Sequence, residues 1–166
     1  MAEEFPRNRQ ETLVTIPSDS NELEGNLTVP SHATGIVAFA HGSGSSRHSP
    51  RNKAVASVLN QNGLATLLID LLTAEEDEID IRTREIRFNI DLLARRMIAV
   101  TDWLIADPRT QNLEIGFFGA STGAAAALRA AAERPDSVYA VVSRGGRPDL
   151  AMDVLPEGKA PPLLIV

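Results

Sequence analysis

Gly119-Ala120-Ser121-Thr122-Gly123 sets a serine between two glycines in the spacing G-x-S-x-G. The apolar run Leu113-Glu114-Ile115-Gly116-Phe117-Phe118 leads into it, and the alanine-rich run from Thr122 to Ala132 leads away. A serine at a sharp strand-to-helix turn is suited to nucleophilic attack. The turn holds it in a strained conformation, and glycines two residues to either side leave room for the neighbouring elements. The helix N-terminus beside it would favour a developing negative charge. The same serine would also serve as an ordinary helix cap, and the pentapeptide by itself fits both roles equally.

A second segment favours chemistry. His41-Gly42-Ser43-Gly44-Ser45 follows another apolar run, Gly35 to Ala40. A glycine-rich loop there can aim the Ser43 N–H at the point reached by the N–H of Thr122, and two donors on one acyl oxygen make an oxyanion hole. A dinucleotide-phosphate loop is the poorer reading, because Arg47 stands where G-x-G-x-x-G needs its third glycine, and the chain has no G-x-x-x-x-G-K-[ST]. His41 is a candidate base, but a histidine opening such a loop more readily shapes it through hydrogen bonds. His32 and His48 read as exposed polar residues.

These residues need a scaffold. Residues 11–16 and 23–29 alternate apolar and polar types around the turn formers Pro17 to Asn21, which predicts an antiparallel hairpin with its first strand ending at Pro17. Residues 35–40 are apolar on both faces, as a parallel strand covered by helices is, and 65–69, 113–118, 138–143 and 163–166 read as further core strands, the last as the beginning of one. Between them, Ser49-Pro50 opens a helix with Ala54, Val55, Val58 and Leu59 as its buried face. The positions 86, 90, 93, 97, 100 and 104 mark the longest helix, and 149–155 a short one. The acidic stretch Thr73 to Glu78 has no apolar period and reads as a solvated loop without calcium-ligand spacing. The order implies a three-layer α/β sandwich, a mostly parallel sheet with an N-terminal antiparallel hairpin. Its ligand site would lie at the carboxyl ends of the strands, where Ser43, Asp70 and Ser121 fall.

The bulk numbers narrow the alternatives. With 166 residues, 43% apolar and 23% charged, residues 1–166 read as a single domain. A net charge of −6 argues against a nucleic-acid surface. The absence of cysteine excludes disulfides, thiolate metal sites and cysteine nucleophiles, and no cofactor or metal is expected. Met1 to Arg7 carry acids rather than an apolar leader, and no stretch is apolar enough for a membrane span, so a cytoplasmic location is the default expectation.

Together the hairpin, His41-Gly42-Ser43-Gly44-Ser45, Asp70, Gly119-Ala120-Ser121-Thr122-Gly123 and Ser143-Arg144-Gly145-Gly146-Arg147-Pro148-Asp149 resemble the α/β-hydrolase superfamily. Within it they resemble the dienelactone-hydrolase-like branch of small esterase-type proteins, over nearly the whole chain. The resemblance implies a small-molecule carboxylic ester or lactone as substrate. It also implies Ser121 as nucleophile, where dienelactone hydrolases carry cysteine, and the Ser43 and Thr122 N–H groups as oxyanion donors. It implies further an acid after the strand starting at Leu163 and a histidine after one more strand. Neither position exists in the chain, and no histidine follows Ser121. Asp149 could supply the acid, as it does after the preceding strand in some members, or simply cap a helix after Pro148. The expectation is an α/β-hydrolase fold lacking its last strand and helix, with little turnover of its own and an exposed sheet edge that could pair with a second copy. The alternative is a non-catalytic binding or assembly module on the same scaffold.

Overall fold

Alternating side chains make β1 (Glu11–Ser18) and β2 (Asn21–Thr28) an antiparallel hairpin, with Ile16 opposite Leu23 and Ser18 opposite Asn21. β1 runs on through Pro17 rather than stopping at it, because an edge strand tolerates a residue without an N–H. The computed structural model describes residues 10–165; Met1 to Arg7 and Val166, the expected end of the last strand, lie outside them.

The next strands are β3 (Gly35–Ala40), β4 (Leu64–Ile69), β5 (Glu114–Ala120), β6 (Val138–Arg144) and β7 (Pro162–Ile165). β2 pairs antiparallel with β4, and the remaining pairings are parallel, in the order β1-β2-β4-β3-β5-β6-β7. The helices are α1 (Pro50–Gln61), α2 (Ala74–Thr83), α3 (Ile90–Ala106) and α4 (Thr122–Glu133). α3 and α4 cover one face, where Leu93, Met97 and Val100 meet Ile36, Leu67 and Phe117. α1 covers the other, over Phe39, Leu68 and Phe118. Burying each such side chain contributes about 1.5–3 kcal/mol. The architecture is the expected α/β sandwich with helices on both sides of a mostly parallel sheet.

Four local readings change. α1 turns Asn52, Ala56 and Asn60 inward, leaving Val55 and Leu59 half-buried and Ala54 and Val58 exposed, Val58 by 56%. Asn60 accounts for much of that rotation, since its Nδ2 donates to Leu64 O and to Thr66 Oγ1, each at 3.0 Å. The acidic stretch 73–78 is no loop but the cap and start of α2. Thr73 Oγ1 accepts from Glu76 N at 3.2 Å, the Glu76 carboxylate accepts from Thr73 N at 2.9 Å, and the acids of the first turn complement the helix dipole.

α3 begins at Ile90 rather than Ile86. Asn89 caps it by accepting from Leu92 N, while Ile86–Phe88 forms a separate 3-10 turn. Residues 149–155 contain no α-helix: two 3-10 turns, Pro148–Ala151 and Leu155–Glu157, are joined by a hydrogen-bonded turn over 152–154. Arg147 occupies the cap position of the first, so Asp149 is not a cap.

Replacing Asn60 by alanine should cost about 1–3 kcal/mol in urea unfolding, because the Thr66 hydroxyl and the Leu64 carbonyl lose a buried partner. Val58→Ala should change stability by less than about 0.5 kcal/mol. The opposite ranking would restore the apolar face read from the sequence.

Candidate active site

β5 ends at Ala120 and α4 starts at Thr122, so the chain reverses at Ser121. Ser121 has φ 51° and ψ −126°, a region that L-residues avoid at a cost of about 1–3 kcal/mol. It occupies the cap position of α4, yet its side chain makes no capping hydrogen bond. The glycines explain how the turn fits. A Cβ on Gly119 would lie 2.5 Å from Ala124 Cα, and one on Gly123 would lie 2.3 Å from the carbonyl oxygens of both Ala40 and His41. α4 is thereby seated directly on the end of β3. As the first helical residue, the buried Thr122 has a main-chain N–H without an intrahelical partner.

That contact brings in the loop after β3. Ser43 Oγ and Thr122 Oγ1 are 3.0 Å apart, and the Ser43 N–H donates to no main-chain acceptor among the described residues. The loop is fixed at both ends from the same place. At one end His41 Nε2 accepts from Leu71 N at 3.0 Å, so Nδ1 carries the proton and donates to Gly42 O at 3.0 Å. At the other, the Arg47 N–H donates to Asp70 Oδ1 at 2.7 Å, and the Arg47 guanidinium pairs with Asp70 and with Glu24 at 3.0 Å. Arg47 Nε also donates to Asn26 Oδ1. Asp70 and Leu71, immediately after β4, thus hold the whole loop.

Clefts of about 420 and 530 Å³ open around it, the first between Gly42, Asn52, Ala120 and Arg144, the second between Gly44, Pro50, Ile81, Arg84 and Arg87. A void of about 10 Å³, room for one water, lies between Ser43, Thr122 and Leu93. The structure brings Ser121, Thr122, Ser43 and His41 to one end of the sheet. Asp149 sits apart on an exposed stretch, its carboxylate held by Arg147 Nε at 2.9 Å and Nη2 at 2.8 Å, and that hydrogen-bonded pairing keeps it ionised below the usual aspartate range. His32 and His48 are exposed. Both nitrogens of His41 are already engaged in holding the loop.

No family profile matches the chain. Proteins from two strains of Mycobacterium tuberculosis, provisionally named phosphoribosyl transferases, are 61% identical over 144 residues, which is 87% of this chain. The chain spans 32% of the length of those relatives. A dienelactone hydrolase from Anabaena variabilis is 64% identical, with a TM-score of 0.93, over 95% of this chain and 73% of its own. The chain belongs to the dienelactone-hydrolase-like branch of the α/β-hydrolase superfamily. The fold alone is shared with Est1E from Butyrivibrio proteoclasticus, at 21% identity and TM-score 0.68 over 84% of this chain and 52% of that one. It is shared likewise with a cold-adapted esterase from an Arctic intertidal metagenomic library, at 15% and 0.72 over 97% and 73%.

For a member of this branch, the residues that sequence reasoning missed are those that hold the loop rather than line it: Arg47, Leu71 and the partners of Leu71. Leu71 acts through its backbone, which leaves no trace in residue type. Arg47 served only to disqualify a phosphate-loop motif, although a cation six residues after His41 and an aspartate closing β4 were both visible.

Burial pushes the His41 imidazole below its ordinary value of 6.5, against the opposing pull of the Gly42 carbonyl and of Asp70 and Asp77. The unfolded chain therefore takes up a proton as pH falls through 6.5 while the native state does not. The stability contributed by neutral His41 is complete above 6.5 and is lost progressively below it. Urea midpoints between pH 8 and 5 should show this decline, and His41→Asn should flatten it; an unchanged slope in that variant would assign the decline to other groups.

Proposed function

We propose that this chain carries the nucleophile and oxyanion half of a serine hydrolase that acts on carboxylic esters or lactones. The observation that carries the reading is Ser121 itself, a non-glycine residue at positive φ whose hydroxyl is not spent on capping α4. This is the conformation a nucleophile elbow requires. In the proposed step Ser121 Oγ attacks the acyl carbon, and the N–H groups of Ser43 and Thr122 receive the negative charge that develops on the carbonyl oxygen. The proton leaving Oγ must pass to a base before the leaving group departs. His41 is a poor choice for that role, because Nε2 accepts from Leu71 and Nδ1 donates to Gly42. Without a neighbouring base a serine hydroxyl is a weak nucleophile at neutral pH, so turnover by this chain alone should be slight. Membership of the branch and the esterase-type fold support an acyl substrate, while its size and charge are left open by clefts that solvent enters freely.

A fluorophosphonate probe, with imidazole added as an exogenous base, tests the assignment separately from turnover. Mass spectrometry should find the label on Ser121, faster with imidazole than without, and Ser121→Ala should abolish it. A short-chain nitrophenyl ester should be hydrolysed at no more than a trace rate by the unmodified chain. Absence of label at Ser121 under both conditions would favour the non-catalytic binding module. Ester turnover that survives Ser121→Ala would remove the serine from the mechanism.

A further inference from the structure

Arg96 lies in the middle of α3 and is 1% exposed, among the largest fully buried side chains of the protein. Its Nη1 donates to Leu71 O at 2.5 Å, and its guanidinium grips the Glu76 carboxylate through Nη1 at 2.5 Å and Nη2 at 2.6 Å. Glu76 also closes the cap of α2 by accepting from Thr73 N. Leu71, whose carbonyl Arg96 holds, is the residue whose N–H meets His41 Nε2. His41 in turn donates to Gly42 O, and that carbonyl accepts from Ser45 N at 3.1 Å, closing the turn that presents Ser43. One continuous chain of hydrogen bonds therefore runs from the interior of α3 to the loop beside Ser121.

We propose that Arg96 is a positioning residue for this loop: by fixing the Leu71 carbonyl and Glu76 together, it sets the Leu71 N–H on His41 and so the direction of the Ser43 N–H. The proposal rests on reading the Ser43 N–H as an oxyanion donor. Its physical ground is the choice of residue. A buried ion pair is weak evidence for stability, since well-packed apolar residues of similar volume often do as well or better. What apolar side chains cannot do is hold a carbonyl at the end of a strand in one direction. Nothing in α3 packing demands a cation here, because Leu93, Met97 and Val100 already fill the face toward the sheet. The groups that face His41 belong to the same system: Asp70, paired with Arg47, Asp77 on α2, and the Arg96 and Glu76 pair beyond Leu71.

The test uses the isotope-labelled chain and three variants: Arg96→Met, Arg96→Lys, and the double change Arg96→Met with Glu76→Gln, which removes the uncompensated carboxylate and keeps the cap of α2. In the unmodified chain, imidazole nitrogen spectra should show Nδ1 protonated and Nε2 bare near neutral pH. Acid titration should move His41, Gly42 and Ser43 signals together. In Arg96→Met and the double variant, the Leu71 amide should exchange at least about tenfold faster, His41 should titrate closer to 6.5, and imidazole-assisted labelling of Ser121 should slow by about tenfold. Arg96→Lys should restore part of each effect, and Arg134→Met, which loses the exposed pair with Asp102 and a bond to the neighbouring Glu133 carbonyl, should change none of them. A folded Arg96→Met or double variant with wild-type Leu71 exchange and His41 titration would overturn the proposal. So would failure of both to fold, which would make Arg96 a residue of the fold alone. If Ser121 takes no label even in the unmodified chain, the proposed function fails, while the exchange and titration still decide whether Arg96 orders the loop.

Discussion

The seating of α4 on the end of β3 shapes the end of the sheet where Ser121 and Ser43 meet. Gly123 leaves no space for a side chain against the Ala40 and His41 carbonyls, and Gly119 leaves none against Ala124. Such contacts permit only one path between β5 and α4, and that path puts Ser121 at positive φ. The strain of the turn is sustained by packing on both sides, from the alanine-lined face of α4 and from the sheet beneath it. The same seating carries Thr122 to within hydrogen-bond reach of Ser43. The proposed nucleophile and the proposed oxyanion donors thus both depend on one close approach between a helix and a strand.

The loop bearing Ser43 has glycines and serines but little apolar anchorage of its own, so its shape is imposed from outside. Polar groups do this in place of a core. Asp70 and Leu71 grip its two ends, and the elements behind them are tied down by ion pairs, Arg96 to Glu76 and Arg87 to Asp80. Burial, the largest single influence, would push the carboxyls of Glu76 and Asp80 upward; the hydrogen bonds and charge of Arg96 and Arg87, joined by the Thr73 bonds at Glu76 and the Ile86 N–H at Asp80, together hold both below the ordinary carboxylate range. Anchors of this kind confer direction more than stability, which is what a site of fixed donors needs.

The far end of the sheet is built differently. α1 covers the β3 and β4 region of its face, while on β7 Leu163 and Ile165 remain 57% and 44% exposed and Arg144 lies over the Phe118 ring. The chain spans 73% of the Anabaena dienelactone hydrolase and 32% of its mycobacterial relatives. The turn that bears Ser121 and the loop that bears Ser43 follow β5 and β3, and β6 lies between β5 and β7.

Residue types and spacing were enough for the sheet, the hairpin, the position of Ser121 and the loop that faces it, because period-two and apolar-run patterns and the G-x-S-x-G turn are local signals. They failed where a side chain's role depends on a distant partner. Asn60 faces inward because Thr66 and the Leu64 carbonyl satisfy it, and the acidic stretch at Thr73 is helical because its own cap and the buried Arg96 hold it. His41 could be read as a base or as a brace from its place in the chain. Only the fold sets Leu71 N–H on one nitrogen and Gly42 O on the other, joining residues 30 positions apart. Local patterns can specify an element because its bonds are near in sequence; the orientation of a polar group is decided by whatever packing brings against it.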